Sequence, residues 1–177
     1  MSWKPSHSDV VYRLLDFVRQ EHRRYFRDFL SELRFNFGGG YGVADLVVIE
    51  YGRSVGGRRG KTLNLFEIKT EGENIMKVAF DACRQIELYR LGLAYPEVFI
   101  DDEDKANMVR NALGFSVYLV IQEDLWNERL NYVRSYQEKL DKLLKYHRIG
   151  VITYNRTWRF EFIKEYPAFV FPISMIR

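Results

Sequence analysis

The chain has 177 residues, 47% of them hydrophobic and 16% aromatic, enough for one domain with a substantial core. Its 27 Lys and Arg against 24 Asp and Glu give a net charge of +3, which suits an anionic partner without demanding one. A single cysteine excludes an internal disulfide and argues against a cysteine-built zinc centre. No run is long enough to span a membrane and no apolar leader follows Met1, so a cytoplasmic protein is expected.

Residues 8–32 read as one helix. Ser8 or Asp9 supplies its N-cap, and Val11, Leu14, Val18, Tyr25 and Phe29 recur at helical spacing as a buried stripe. Glu21 falls within that stripe. Residues 33–37 form a short strand ended by Gly38-Gly39-Gly40. Residues 42–51 give a second strand and 62–70 a third, joined as an antiparallel hairpin by the Gly-rich loop 52–60. Residues 73–93 form a second helix, with Val78, Ala82, Ile86 and Tyr89 along one side. The acids from Asp101 open a short helix to Leu113. Residues 115–121 are almost wholly apolar, the pattern of a central strand covered on both faces. A long helix runs from Asp124 to His147, its Leu130, Val133, Gln137, Leu140 and Leu144 forming core or a dimer contact. Residues 149–154 and 158–163 make a late hairpin, and 169–173 an edge strand. This order predicts a three-layer α/β domain with a mixed sheet, single over residues 1–177.

In the third strand Glu67 and Lys69 sit two apart, so both point to one face with Leu65, while Phe66 and Ile68 point to the other. A carboxylate and an ammonium ending an apolar strand are costly unless they pair, hold a metal or do chemistry. The triplet alone says little, since Glu103-Asp104-Lys105 repeats it in a polar stretch. Asp45 adds weight. It interrupts the apolar second strand, where Asp is disfavoured, and strand pairing brings it toward Glu67. Two clustered carboxylates repel, and a divalent cation removes the conflict. Carboxylates, water and phosphate oxygens are what Mg²⁺ or Mn²⁺ prefers. Such an ion activates water and polarises a phosphoryl group, and Lys69 can stabilise the developing charge.

Gly42-Val43-Ala44-Asp45, then about twenty residues on Phe66-Glu67-Ile68-Lys69, then Gln85-Ile86-Glu87-Leu88-Tyr89 resembles the PD-(D/E)XK nuclease superfamily over residues 9–120. The Gln-x-x-x-Tyr helix is similar to that of RecB-type nucleases. The spacing from Glu21 to Asp45, with glycines before the Asp, is similar to archaeal Holliday junction resolvases. Ala44 stands where the family name has Pro. The resemblance implies a restriction-endonuclease-like αβββαβ core over about residues 9–122, with the long helix and C-terminal hairpin of 123–177 as additions. It implies a Mg²⁺- or Mn²⁺-dependent deoxyribonuclease of DNA repair or recombination, directed to junctions or ends. Asp45, Glu67 and the Ile68 carbonyl are then metal ligands, Lys69 the catalytic lysine and Gln85 a positioning residue. Glu21 is either an upstream metal-site acid or a surface residue paired with Arg24 or Tyr25. The rival is a nuclease-fold DNA-binding module, or a scaffold subunit, without turnover.

Arg53, Arg58, Arg59 and Lys61 crowd one loop with no acid among them, which predicts contact with DNA phosphates. The segment from Gly56 to Thr62 mimics a phosphate-binding loop, but Val55 stands where the first Gly is needed and a strand follows, so no nucleotide cofactor is expected. His7, His22 and His147 show no metal-ligand spacing, Cys83 and Tyr89 read as packing, and Glu71 and Glu73 as solvated. DNA is the expected partner. The resolvase branch also implies a homodimer, since symmetric strand cutting needs a two-fold axis.

Overall fold

The apolar run at 115–121 is a central strand, β4 (Gly114–Gln122), with only its two polar positions, Ser116 and Gln122, left partly exposed. The computed structural model describes residues 3–70 and 74–172. Before β4 come α1 (His7–Glu21), β1 (Phe26–Asn36), β2 (Tyr41–Val55), β3 (Arg58–Lys69), α2 (Ile75–Ala94), α3 (Pro96–Phe99) and α4 (Glu103–Val109). After it come α5 (Glu123–Asn127), α6 (Arg134–Tyr146), β5 (Ile149–Tyr154), β6 (Phe160–Lys164) and β7 (Phe169–Val170). The sheet order is β1-β2-β3-β4-β5-β6, with β7 paired to the start of β4. The pairs among β1, β2 and β3 are antiparallel, those among β3, β4 and β5 parallel, and β5–β6 antiparallel. The chain is therefore α/β with a mixed sheet. Val10, Leu14, Leu15 and Val18 of α1 pack on one face with Phe66, Ile68 and Val120. Apolar residues of α2, α4 and α6 cover the other against Leu65, Val117 and Leu119. Among the described residues no helix is long and apolar enough to cross a membrane.

The helix expected over 8–32 stops at Glu21, and its N-cap is Ser6 rather than Ser8 or Asp9. Tyr25 and Phe29 keep helical spacing by coincidence. From Phe26 the chain pairs with β2 over nine residue pairs, and Leu33 and Phe35 alternate with exposed Glu32, Arg34 and Asn36. An aromatic-rich segment beside a free sheet edge gains more from that ladder than from another helical turn.

The loop expected at 52–60 is mostly strand. Only Gly56 and Gly57 turn, both at positive φ (58° and 76°), as a two-residue hairpin connection requires. The helix expected over 101–113 is shorter: α4 starts after Asp102, whose side chain caps the Lys105 N–H, and ends at Val109.

The long helix from Asp124 to His147 is broken. A 3₁₀ turn covers Glu128–Asn131, and Tyr132 and Val133 are extended. Leu130 and Val133 are exposed, whereas Leu140 and Leu144 are fully buried. The apolar spacing there spans two separate elements. The break is held by the Gln137 side chain, which donates to the Tyr132 carbonyl at 2.8 Å. The second strand of the late hairpin starts at Phe160 instead of Trp158, and β7 has only two residues and pairs with β4 instead of lengthening an outer edge. Ile173, Glu71 and Glu73 lie outside the described residues.

Gly92 lets the Phe35 ring of β1 lie against the α2 backbone. A Cβ there would stand 2.2 Å from Phe35 Cδ1, far inside contact distance. Gly92→Ala is therefore expected to cost about 1–3 kcal/mol by overpacking, read as a melting temperature several degrees lower, although Ala is the better helix former.

Candidate functional site

The site forms where β2 and β3 part. Their ladder reaches Leu46–Phe66, so Asp45 and Glu67 stand one residue beyond it on each strand. On the other side of β2 the ladder with β1 skips Asp45 and Glu32, and Glu32 has φ 54°. Side-chain alternation breaks there, since Ala44 packs with one core cluster while Leu46 packs with the other. Freed from the ladder, the Asp45 carboxylate reaches β3 and accepts the Ile68 N–H at Oδ2, 2.7 Å. Asp45 thus takes over a backbone bond that strand pairing leaves unfilled.

Glu67 and Lys69 lie on the α2 face, as period-two alternation requires. Lys69 Nζ donates to Glu67 Oε1 at 2.8 Å and to Gln85 Oε1 at 3.4 Å. Gln85 and Tyr89, four apart on α2, present their side chains to the same spot. The Tyr89 hydroxyl donates to the Val43 carbonyl at 2.6 Å and stands 3.2 Å from Glu67 Oε2. Its single proton serves one of them at a time. Burial pushes the Glu67 carboxyl above the usual carboxylate range, and the charge of Asp45 pushes the same way, against the opposing pull of Lys69 and Tyr89. Burial and the two carboxylates likewise raise the Tyr89 phenol, keeping it a neutral donor. The Lys69 side chain is 24% exposed and that of Asp45 17%, so solvent reaches the pair while Glu67 is covered.

Glu21 does not belong here. It is the last residue of α1, and the residue near the site is the first: His7 Nε2 lies 3.1 Å from Asp45 Oδ1. The fourteen steps between His7 and Glu21 span about 21 Å along the helix. The acid therefore stands on the helix that reaches Asp45, but at its far end. His7 carried no sequence signal, because it stands 38 positions before Asp45 with no motif around it. Tyr89, read as packing, is fully buried but also bonds to the site; its place four residues after Gln85 was the available sign.

The four basic residues expected to contact DNA are not gathered at the site. Arg53 donates to the buried Glu50 and lies 4.4 Å over the Tyr25 ring. Lys61 donates to the Arg110 carbonyl at 2.9 Å, and burial lowers its ammonium. Arg58 and Arg59 are exposed at the hairpin tip, nine and eight positions before Glu67, or about 30 Å along the strand. Longer strands carried them to the opposite end of the sheet.

Among the described residues no group of three or more His, Cys, Asp or Glu is gathered as a ready metal cage. The donors near one another are two carboxylates, Asp45 and Glu67, whose charges interact, with the His7 imidazole beside Asp45 alone. Mg²⁺ keeps several waters and binds through one or two carboxylates, so this donor set fits it without a complete protein cage. The raised Glu67 carboxyl beside Asp45 is a charge conflict that a cation removes. No family model, curated protein or solved structure matches this chain.

Proposed function

We propose that the chain is a metal-dependent DNA nuclease with a restriction-endonuclease-like core. The observation that carries this reading is the meeting of Asp45, Glu67 and Lys69 where β2 and β3 part, with both carboxylates crowded and the lysine held between Glu67 and Gln85. A salt bridge kept only for stability has no need of a second carboxylate that raises the first.

Asp45, Glu67 and the Ile68 carbonyl would hold Mg²⁺ or Mn²⁺, with His7 beside Asp45 as a further donor. The bound ion supplies a polarised phosphoryl oxygen and a more acidic water. Lys69 presents its ammonium to the attacking water and stabilises the charge it gains as it loses its proton. Gln85 restrains the Lys69 side chain, and Tyr89 fixes the Glu67 carboxyl against β2. The Ile68 N–H orients the Asp45 carboxylate. In-line attack on phosphorus breaks the bond to the leaving sugar oxygen; the family resemblance implies 5′-phosphate and 3′-hydroxyl products.

The test compares a four-way junction, a duplex, a flap and a single strand, each labelled and incubated with Mg²⁺ or Mn²⁺. Cleavage of at least one form, stopped by chelation and leaving 5′-phosphates, is expected. Salt-sensitive binding to all four without cleavage would identify a binding module instead and overturn the assignment.

A further inference from the structure

Helix α1 covers only part of its face of the sheet. Beyond its C-terminal end lies a cleft of about 420 Å³, floored by β3 and β4 and closed on one side by the segment from Glu165 to Ala168. This volume is in the range of small-molecule sites. It sits near the N-terminal ends of the parallel strands. Thr62 and Glu67 point to opposite faces, with five residue steps, about 17 Å, between them along β3. The cleft is therefore separate from the carboxylate site.

Its floor is polar where the neighbouring floor is not. On β3 and β4, Phe66, Ile68 and Val120 meet α1 as apolar core, whereas Thr62, Asn64 and Ser116 line the cleft. Thr62 is 4% exposed, and its hydroxyl finds no hydrogen-bond partner among the described residues. Asn64 is 6% exposed and lines the same cleft. A buried hydroxyl without a partner is costly, and Thr62 borders the same cavity as Asn64. Asn64 pairs with Ser116 across the parallel ladder, so an amide and a hydroxyl lie side by side.

The charges around the cleft nearly cancel. The Arg53 guanidinium and the His22 ring are both bonded to the buried Glu50. On the other side, burial and then the charge of Glu165 raise the Tyr118 phenol. Both basic side chains in the lining, His22 and Arg53, are already engaged by Glu50 and a further carboxylate is present, which disfavours an anion. An Asn amide offers one donor and one acceptor, matched by the carbonyl and N–H of a lactam. The hydroxyls and the Glu165 carboxylate suit sugar hydroxyls.

We propose that this cleft binds an uncharged, nucleoside-sized ligand through a lactam edge held by Asn64, with Thr62 and Ser116 on its hydroxyl groups. The site is independent of the nuclease reading.

The test titrates the isotope-labelled chain with uridine, inosine, ribose and uridine 5′-monophosphate and follows backbone amide resonances. Saturable shifts confined to the cleft strands are expected with uridine or inosine. Ribose is expected to bind at least ten-fold more weakly, and the monophosphate no more tightly than uridine. Thr62→Val, which keeps side-chain shape, is expected to weaken binding by about five- to ten-fold, the equivalent of one hydrogen bond, while the melting temperature holds or rises. Asn64→Leu is expected to weaken it further; if that variant does not fold, Thr62→Val decides. No saturable shift with either nucleoside, equal affinity in Thr62→Val, or tighter binding of the monophosphate would overturn the proposal.

Discussion

Lys69→Met is expected to lower metal-dependent DNA cleavage by about 10²–10³-fold, the usual loss when one preorganised electrostatic group is removed from a reacting centre. Met keeps most of the stem and removes the donor that reaches Glu67 Oε1 at 2.8 Å and Gln85 at 3.4 Å. Substrate binding is expected to change little, because the loss falls on charge that develops during attack. The fold should survive, since the Lys69 side chain is partly exposed. Single-turnover rates at saturating protein, read beside a melting curve, separate the two effects. A Lys69→Met protein that cuts at the wild-type rate would leave the lysine as a salt-bridge partner of Glu67 and nothing more.

The second large effect is on stability and lies outside the site. Glu50 is fully buried and accepts from His22 Nδ1 and Arg53 Nε. Glu50→Ala leaves both donors without their acceptor and opens a cavity. Loss of one member of a buried charge network costs about 3–5 kcal/mol. The low end applies because the Arg53 side chain is 36% exposed and can be rehydrated. Urea unfolding should report that loss directly.

The pH dependence has a definite sign. Burial alone would raise the Glu50 carboxyl, but the hydrogen bonds and charges of His22 and Arg53 outweigh it and hold the carboxyl below its usual value of 4.5. Its stabilising contribution is therefore full above about that pH and is lost as pH falls through the depressed folded-state value. Wild type should lose stability on acidification below about pH 4.5 more steeply than Glu50→Gln does. Equal acid slopes for the two proteins would contradict the assignment.

Much of this was legible in the sequence, for physical reasons that differ from element to element. The alternation of Leu65, Glu67 and Lys69 against Phe66 and Ile68 is a period-two pattern. It survives any change in strand length, so the face carrying the two charges was read correctly. The all-apolar run of β4 and the hairpin partnership of β2 and β3 were legible for similar reasons. Strand ends were not. Nothing local marks where a β ladder stops, so the basic cluster reads as a loop when it lies on strand ends far from the carboxylates. The segment from Phe26 to Asn36 carried both periodicities, and the choice between them was made by β2, a partner remote in sequence. Glu21 carried the spacing to Asp45 that the resemblance uses, but it stands at the end of α1 away from Asp45. His7 and Glu50 depend on tertiary contacts alone. A carboxylate inside the run Leu46-Val47-Val48-Ile49-Glu50 was a sign that a buried partner exists, but not that His22 and Arg53 supply it.

The central claim, that crowded carboxylates on β2 and β3 make a metal-dependent phosphodiesterase, rests most directly on Asp45. Its carboxylate touches Ile68 and His7 and raises Glu67, so removing it relieves the charge conflict and removes a proposed ligand together. The decisive measurement is the rate at which wild type and Asp45→Ala cleave the preferred DNA form in Mn²⁺, with a chelated control. The expected result is cleavage by wild type alone, abolished by the chelator, with Asp45→Ala folded and still binding DNA. Cleavage by Asp45→Ala at the wild-type rate, or wild-type cleavage that persists in the chelator, would contradict it.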